Sequence, residues 1–326
     1  MNPKRTYKWG ILGCGKIAHK FAEDLTTIPN ALLHAVASRD ITKAENFARK
    51  HKASNYYGNY LELSKDPEID IIYIATPHVF HYENTIMCLS AKKAVLCEKP
   101  FAMNKNQVKE MIKIAKENNT FLMEALWTYF LPHYQAVLKI IATNELGNIK
   151  SLRANFGFAS TFNPNSRIFN KQLGGGSLLD VGIYPLFAAL SILGVPEKVE
   201  ASAQFSKTGI DENCAITLSY KNDVIANLYS SITEKTNTEA IIQFENGTII
   251  INSRFHEPSS FSITKKDKPS QLYEFPVQTN GYSYEAIHVQ EMIFNKNSES
   301  TIMTFEKSLQ LIELLDTVRD KINLVY

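Results

Sequence analysis

The segment Lys8 to Ala18, KWGILGCGKIA, constrains the fold more than any other part of the chain. An apolar run from Trp9 to Leu12 predicts a buried strand, and Gly13-Cys14-Gly15-Lys16-Ile17-Ala18 then fits the pattern G-x-G-x-x-G/A. In that pattern the first glycine permits a tight turn and the second lets the backbone approach a pyrophosphate. The small third residue allows a helix to pack closely on the strand. The helix that follows, through Phe21 and Leu25, is expected to aim its N-terminal N–H groups at the anion. Gly13, Gly15, Lys16 and Ile17 are therefore the expected phosphate-binding positions.

Beyond this turn, apolar strands alternate with amphipathic helices. Leu32–Ser38, Ile69–Ala75, Ala94–Cys97 and Thr120–Met123 read as strands, and Ile41–Lys50, His81–Ser90 and Lys105–Asn118 as helices. Such alternation predicts right-handed βαβ units and a doubly wound parallel sheet over residues 1–124. The residue after the second strand bears on the dinucleotide. An NAD-selective chain places Asp or Glu there to bind the ribose 2′-hydroxyl. Here the strand ends at Ser38-Arg39, and a guanidinium clamps a 2′-phosphate bidentately. NADP is the expected cofactor in preference to NAD, with Asp40 past the turn as the competing NAD reader.

With 326 residues the chain is long enough for about two domains, and 44% hydrophobic with 21% charged residues is ordinary for a globular protein. Thirty-five basic against 33 acidic side chains leave +2, which gives no electrostatic case for nucleic acid or an anionic membrane. No apolar run is expected to span a bilayer, and Lys16 cuts short the only stretch that imitates a signal peptide. Cys14, Cys88, Cys97 and Cys214 lack metal-site spacing and read as reduced thiols of a cytoplasmic protein. His78 and His81 have no acidic or thiol partner at useful spacing, so no metal is expected.

Candidate chemistry follows the strand ends. Thr76-Pro77-His78 lies at the C-terminal end of the third apolar run, where open α/β sheets bind ligands. His78 reads either as a ligand contact or as a structural turn residue. Glu98-Lys99-Pro100 directly follows Ala94–Cys97, which aims an ammonium into the same crevice, and the proline stiffens that turn and admits a cis bond. Further on, Gly174-Gly175-Gly176-Ser177-Leu178-Leu179-Asp180-Val181-Gly182-Ile183-Tyr184-Pro185 suggests a flexible loop feeding a helix. Asp180 and Tyr184 are four apart, so on one helix they share a face.

Together these motifs resemble the glucose–fructose oxidoreductase/inositol dehydrogenase (Gfo/Idh/MocA) superfamily over nearly the whole chain. The resemblance rests on GCGKIA, ASRD, IYIATPH, VLCEKPFAMN, FLMEALWTYFLP, GGGSLLDVGIYP and SYEAIHV. Several of these resemble one branch, the dimeric dihydrodiol dehydrogenases and the NADP-dependent D-xylose dehydrogenases, in which tyrosine replaces the usual histidine after D-x-G-x-x. Tyr184 matches that replacement. The resemblance implies that Lys99, Asp180 and Tyr184 are catalytic, that Arg39 binds the 2′-phosphate, and that Trp127 lines the substrate pocket. It also implies an α+β second domain with an open antiparallel sheet, often used for dimerisation.

The second half agrees independently. Ile149–Phe158, Val199–Phe205, Ala215–Tyr220, Val224–Ser231, Glu239–Phe244 and Thr248–Ile251 read as strands, with Asn222-Asp223 and Asn246-Gly247 as hairpin turns. Residues 125–326 are expected to form this substrate-binding domain, with a last amphipathic helix at 308–322 packing toward the first. A sheet with few covering helices leaves a face that makes a homodimer the expected assembly.

The expected reaction is hydride transfer from a sugar such as D-xylose, or from a trans-dihydrodiol, to NADP⁺. Tyr184 would take the hydroxyl proton while Lys99 orients the oxygen, or the two roles would be exchanged. Asp180 would hold the lysine or a substrate hydroxyl. The expected cofactor contacts also include Ser38, Thr76, His78, Glu98 and Lys99, and the expected substrate contacts are Trp127, Phe156 and Phe158. Two other readings share the fold: a non-catalytic NADP-sensing regulator, and a sugar–sugar oxidoreductase that retains its NADP.

Overall fold

The structure is a computed structural model and describes residues 5–326. The chain divides into two compact units. The first runs through Trp127 and also takes in Gln278–Leu309, and the second comprises Thr128–Val277 and Gln310–Tyr326.

In the first unit, strands and helices alternate as β1 (Tyr7–Leu12), α1 (Lys16–Leu25), β2 (Ala31–Ala37), α2 (Ile41–His51), β3 (Asn55–Tyr57), α3 (Tyr60–Lys65), β4 (Ile71–Ile74), α4 (His81–Ser90), β5 (Ala94–Glu98), α5 (Lys105–Glu117) and β6 (Leu122–Ala125). The strands pair in parallel in the order β3-β2-β1-β4-β5-β6, which is a doubly wound Rossmann sheet reversing direction between β1 and β4. Every residue of Ile71–Ile74 is buried, the signature of a strand covered on both faces. Ala18 is fully buried, so α1 lies close on the sheet, and Phe21 stacks on Tyr73 at 3.7 Å.

The return of residues 278–309 to this unit lies outside the expected 124/125 division, and its cause is polar. Asp24, near the end of α1, accepts from the backbone N–H groups of Asn280 (2.8 Å), Tyr282 (2.8 Å) and Ser283 (3.2 Å). A residue distant in sequence thus caps α8 (Tyr282–Phe294), whose own N-cap is a glycine. Tyr282 stacks on Trp127 at 4.3 Å, and the Leu122 N–H donates to the Ser298 carbonyl at 3.2 Å.

The second unit contains α6 (Pro132–Ala142), β7 (Ile149–Gly157), α7 (Ile183–Leu193), β8 (Lys198–Phe205), β9 (Asp211–Ser219), β10 (Ile225–Ser231), β11 (Ala240–Phe244), β12 (Gly247–Ile251), β13 (Phe261–Lys265) and β14 (Gln271–Tyr273). Its sheet has the order β14-β13-β12-β11-β7-β10-β9-β8, and among the described strands only the β7–β10 pairing is parallel. Leu152, Ala154 and Phe156 of β7 and Ala226 and Leu228 of β10 alternate inward, while Arg153 and Asn227 face away. The unit boundary falls within α9 (Phe305–Lys321), where Leu311, Leu314, Leu315 and Val318 are buried.

Two local expectations change and one holds. The two residues linking β11 to β12 are Glu245-Asn246, because Phe244 pairs with Gly247, one position earlier than Asn246-Gly247. Asn222 and Asp223 do form a tight turn, both at positive φ. The stretch Lys171–Leu193, 23 residues, holds an 18-residue window with a mean hydropathy of 1.7 and is long and apolar enough to cross a bilayer, contrary to expectation. In this fold 78% of that window is buried, so its apolarity serves the core.

Candidate active site

The glycine turn joins β1 to α1. Gly13 has φ +99°, and a Cβ there would meet the Ala75 carbonyl oxygen at 2.9 Å. Both facts demand glycine. Gly15 caps α1 without any side-chain hydrogen bond, and no acidic residue occupies the first turn. A Cβ at Gly15 would meet only the Ala75 carbonyl oxygen, at 3.9 Å. Lys16 and Ile17 are exposed, with Ile17 at 39%. A helix N-terminus that opens at a glycine with no side-chain cap suits a phosphate group, so these residues fit a dinucleotide pyrophosphate.

At the end of β2, Ser38 is buried and its Oγ accepts from the Asp40 N–H at 3.2 Å. Arg39 is exposed, with its guanidinium 5.3 Å from the centre of the Phe80 ring. Asp40 caps α2, accepting from the Lys43 N–H at 3.2 Å, so its carboxylate is engaged by the helix. Lys43, a cation one turn beyond Arg39, lines a cavity of about 390 Å³ with Cys14, Asp40 and Thr42. The sequence reading passed over Lys43, although its place in the first turn of a helix opening at Arg39-Asp40 is a readable signal.

After β4, Thr76 and His78 are buried, and the Thr76 Oγ1 accepts from Asn84 Nδ2 at 3.1 Å. Glu98, at the tip of β5, accepts from the Tyr73 hydroxyl and, at 3.3 Å, from the Lys99 N–H. Lys99 is half-buried and the Lys99–Pro100 peptide is cis. The next residue but one, Phe101, donates its N–H at 3.0 Å to Glu124, whose carboxyl burial pushes up to about 7. Glu285 on α8 is fully buried, and burial followed by the charges of Glu98 and Asp24 raises its carboxyl well above the ordinary range. Glu98 and Lys99 are thus set by hydrogen bonds from their own sheet. Trp127 is 5% exposed and stacked on Tyr282, so it belongs to the first unit rather than to a domain beginning at residue 125.

In the second unit Asp180 and Tyr184 do not lie on one regular helix as the spacing predicts. Asp180 sits in a π-helical turn (Leu178–Gly182), and Tyr184 in the first turn of α7. Such turns re-aim side chains and recur at functional sites. The triple glycine is not a flexible loop. A Cβ at Gly175 would strike the carbonyl oxygens of Arg167, Ile168 and Asn170 at 2.7–2.9 Å, and one at Gly176 would lie 2.2 Å from Asp211 Oδ1. Asp211 then fixes the start of the turn, accepting on Oδ2 from Ser177 Oγ (2.7 Å) and the Leu178 N–H (2.6 Å).

Asp180 accepts from Arg167 Nη2 at 2.8 Å, an ion pair the sequence reading did not assign. Tyr184 is 6% exposed, with its ring centre 5.7 Å from Phe156 and 4.8 Å from His256. His256 stacks on Phe156 at 4.1 Å, while Phe158 lies farther out, 6.4 Å from Phe156. His256 was missed because nothing in its local sequence marks it; only the fold of the turn between β12 and β13 brings it to Tyr184. The result is a phenol set in an aromatic wall, close in sequence to a carboxylate held by a guanidinium.

Residues 7–126 match the oxidoreductase family with an NAD-binding Rossmann fold, and residues 134–250 match the GFO/IDH/MocA C-terminal domain. A trans-1,2-dihydrobenzene-1,2-diol dehydrogenase of Xenopus tropicalis is 37% identical over 98% of this chain and 99% of its own. The Homo sapiens protein of the same name is 34% identical over 98% of each chain. Among solved structures, a 3-ketoreductase from Actinomadura kijaniata in complex with NADP and TDP-benzene superposes with a TM-score of 0.89 at 23% identity, over 98% of both chains. An aldose-aldose oxidoreductase from Caulobacter crescentus gives 0.89 at 22% identity, also over 98% of both. The GFO/IDH/MocA oxidoreductases are the family to which this chain belongs.

Proposed function

We propose that the protein oxidises a hydroxyl of a small cyclic diol, a trans-dihydrodiol first and an aldopyranose such as D-xylose second, with NADP⁺ as the hydride acceptor. The observation that carries this reading is Tyr184, a buried phenol walled by Phe156 and His256. Such a wall suits the flat face of a ring-shaped substrate. The names of the relatives at 34–37% identity support the dihydrodiol. When bound, the dinucleotide supplies a nicotinamide ring that accepts a hydride.

Within that reading Tyr184 accepts the substrate hydroxyl proton, and Phe156 and His256 exclude water from its ring. Lys99 orients the same oxygen and stabilises its negative charge. Asp180, which accepts from Arg167, holds the lysine or a neighbouring substrate hydroxyl. Gly13, Gly15, Lys16 and Ile17 receive the pyrophosphate. Arg39 binds the 2′-phosphate with Ser38 and Lys43 beside it, which favours NADP because the nearby Asp40 carboxylate already caps α2. Thr76, His78 and Glu98 flank the nicotinamide side, and Trp127 and Phe158 complete the substrate contacts. A homodimer through the exposed sheet face that carries Arg153 and Asn227 and a cytoplasmic setting, favoured by four free buried cysteines, belong to the same proposal.

The test is NADPH formation by the purified protein with trans-benzene dihydrodiol, D-xylose, D-glucose, L-arabinose and myo-inositol, each repeated with NAD⁺. Saturable turnover of the dihydrodiol or a pyranose with NADP⁺ is expected. Tight NADP⁺ binding without turnover of any of them would overturn the reading in favour of a sensor.

A further inference from the structure

His81 opens α4 and is completely buried. Its two ring nitrogens each face a backbone carbonyl oxygen: Nε2 lies 2.8 Å from Thr76 O, and Nδ1 lies 2.8 Å from Pro100 O. A neutral imidazole carries one N–H and one lone pair, so either tautomer would press a lone pair against a carbonyl oxygen at hydrogen-bonding distance. Turning the ring over about Cβ–Cγ would set Cδ2 and Cε1 against the two oxygens and forfeit both hydrogen bonds, so both carbonyls are satisfied only in the present orientation. Only the imidazolium satisfies both.

We infer that His81 is a resident imidazolium that ties the loop after β4 to the turn after β5, and so positions Lys99. The two carbonyls it holds belong to Thr76, two residues before His78, and to Pro100, the residue after Lys99. Asn84 and Glu124 each hold one of these turns, at Thr76 Oγ1 and at Phe101 N–H, and the doubly donating ring ties the two turns to each other. A buried cation is tolerated where hydrogen bonds and opposite charge compensate it. The titratable groups on the elements around it are His78, with its ring centre 5.8 Å away, Glu98 and Lys99 at the tip of β5, and Cys97, whose thiol faces Phe101 O. On β6, Glu124 accepts from Phe101 N–H, and on α4 itself lies Cys88. Among these, Glu98, two residues before Pro100, is the carboxylate available to balance the charge, whereas burial raises the Glu124 carboxyl to about 7. His81 touches neither substrate nor dinucleotide in this account, and its effect on turnover rests on the function proposed above, whereas its charge state does not.

Two measurements on the full-length protein test the inference. The first is long-range ¹H–¹⁵N correlation of the histidine rings, with His81 assigned by its loss in His81→Gln or, should that variant not fold, through the wild-type backbone. Both nitrogens of His81 are expected to show protonated-type shifts at pH about 7, above the ordinary histidine value of about 6.5. A neutral tautomer at pH about 7 would overturn the inference whether or not the protein turns over any substrate. The second is the pH profile of kcat. His81→Gln keeps one donor and loses the charge, so kcat is expected to fall roughly tenfold to a hundredfold. Removing a neighbouring cation also favours protonated Lys99, so the limb of the profile that reports the lysine is expected to move to higher pH. A folded variant with unchanged kcat and an unshifted profile would exclude the positioning role.

Discussion

The two sheets present chemistry in opposite ways. The parallel sheet of the first unit is buried on both faces, and its groups emerge at strand tips, through a glycine turn, Ser38-Arg39, Thr76 to His78 and Glu98-Lys99. The antiparallel sheet of the second unit has one covered face, and its groups are side chains pressed between that face and the helix laid on it. Backbone geometry governs the first arrangement and side-chain packing the second. Substitutions at the glycine turn and at Ser38-Arg39 should therefore act through dinucleotide affinity, and those in the aromatic wall of the second unit through turnover.

The largest expected effect is on turnover. Tyr184→Phe keeps the ring against Phe156 and His256 but removes the hydroxyl proposed as the proton acceptor. It should lower kcat by about 10²–10⁴-fold with NADP⁺ affinity unchanged. A steady-state assay paired with fluorescence titration of NADPH checks this, and a parallel loss of NADPH affinity would break the division between the units. Next comes Gly13→Val, where positive φ and the Ala75 carbonyl oxygen at 2.9 Å both oppose a side chain. Dinucleotide affinity should fall roughly a hundredfold, because strain of this kind costs about 1–3 kcal/mol before any clash is counted. Calorimetric titration measures it.

Arg39→Ala is more selective. Losing a charge-assisted contact of about 1.5–3 kcal/mol should raise the KM for NADP⁺ by roughly ten- to a hundredfold and leave that for NAD⁺ nearly unchanged. Equal use of both cofactors by the unaltered protein would refute the NADP preference. The smallest effect concerns stability. Burial raises the Asp211 carboxyl from 3.8 to about 7, so the folded state holds that proton more tightly than the unfolded one. Its contribution is full below about pH 4 and is lost as pH rises through about 7. Asp211→Asn cannot ionise, so its melting temperature should decline less than the wild type's across that interval. Glu124, also raised to about 7, leaves a residual slope in the first unit.

Much of this division was legible in the sequence, for physical reasons that differ from residue to residue. Gly13, Gly15 and Lys99 were readable because a local rule, a turn or a strand end, fixes their surroundings within a few residues. His81–Ser90 was placed to the residue. Asp180 was found, but its partner Arg167 was not, since an ion pair between two loops leaves no spacing signal. His256 and Asp211 escaped for the same reason: each acquires meaning only when the fold brings it to Tyr184 or to the glycine turn. The supposed flexibility of Gly174–Gly176 failed because glycine marks close approach as readily as mobility, and only the carbonyl oxygens around Gly175 and the Asp211 carboxylate beside Gly176 tell which applies.

Asp24 caps a helix that begins more than 250 residues later in the chain. On the ribosome, the first unit would therefore emerge with its sheet assembled but with Asp24 unengaged and one side of Phe21 and Trp127 uncovered. Those surfaces close only when the segment from residue 278 onward has left the exit tunnel. A nascent chain halted after Trp127 should accordingly be the point of greatest demand on a holdase chaperone, and completion of the dinucleotide-binding unit becomes one of the last events of synthesis rather than the first.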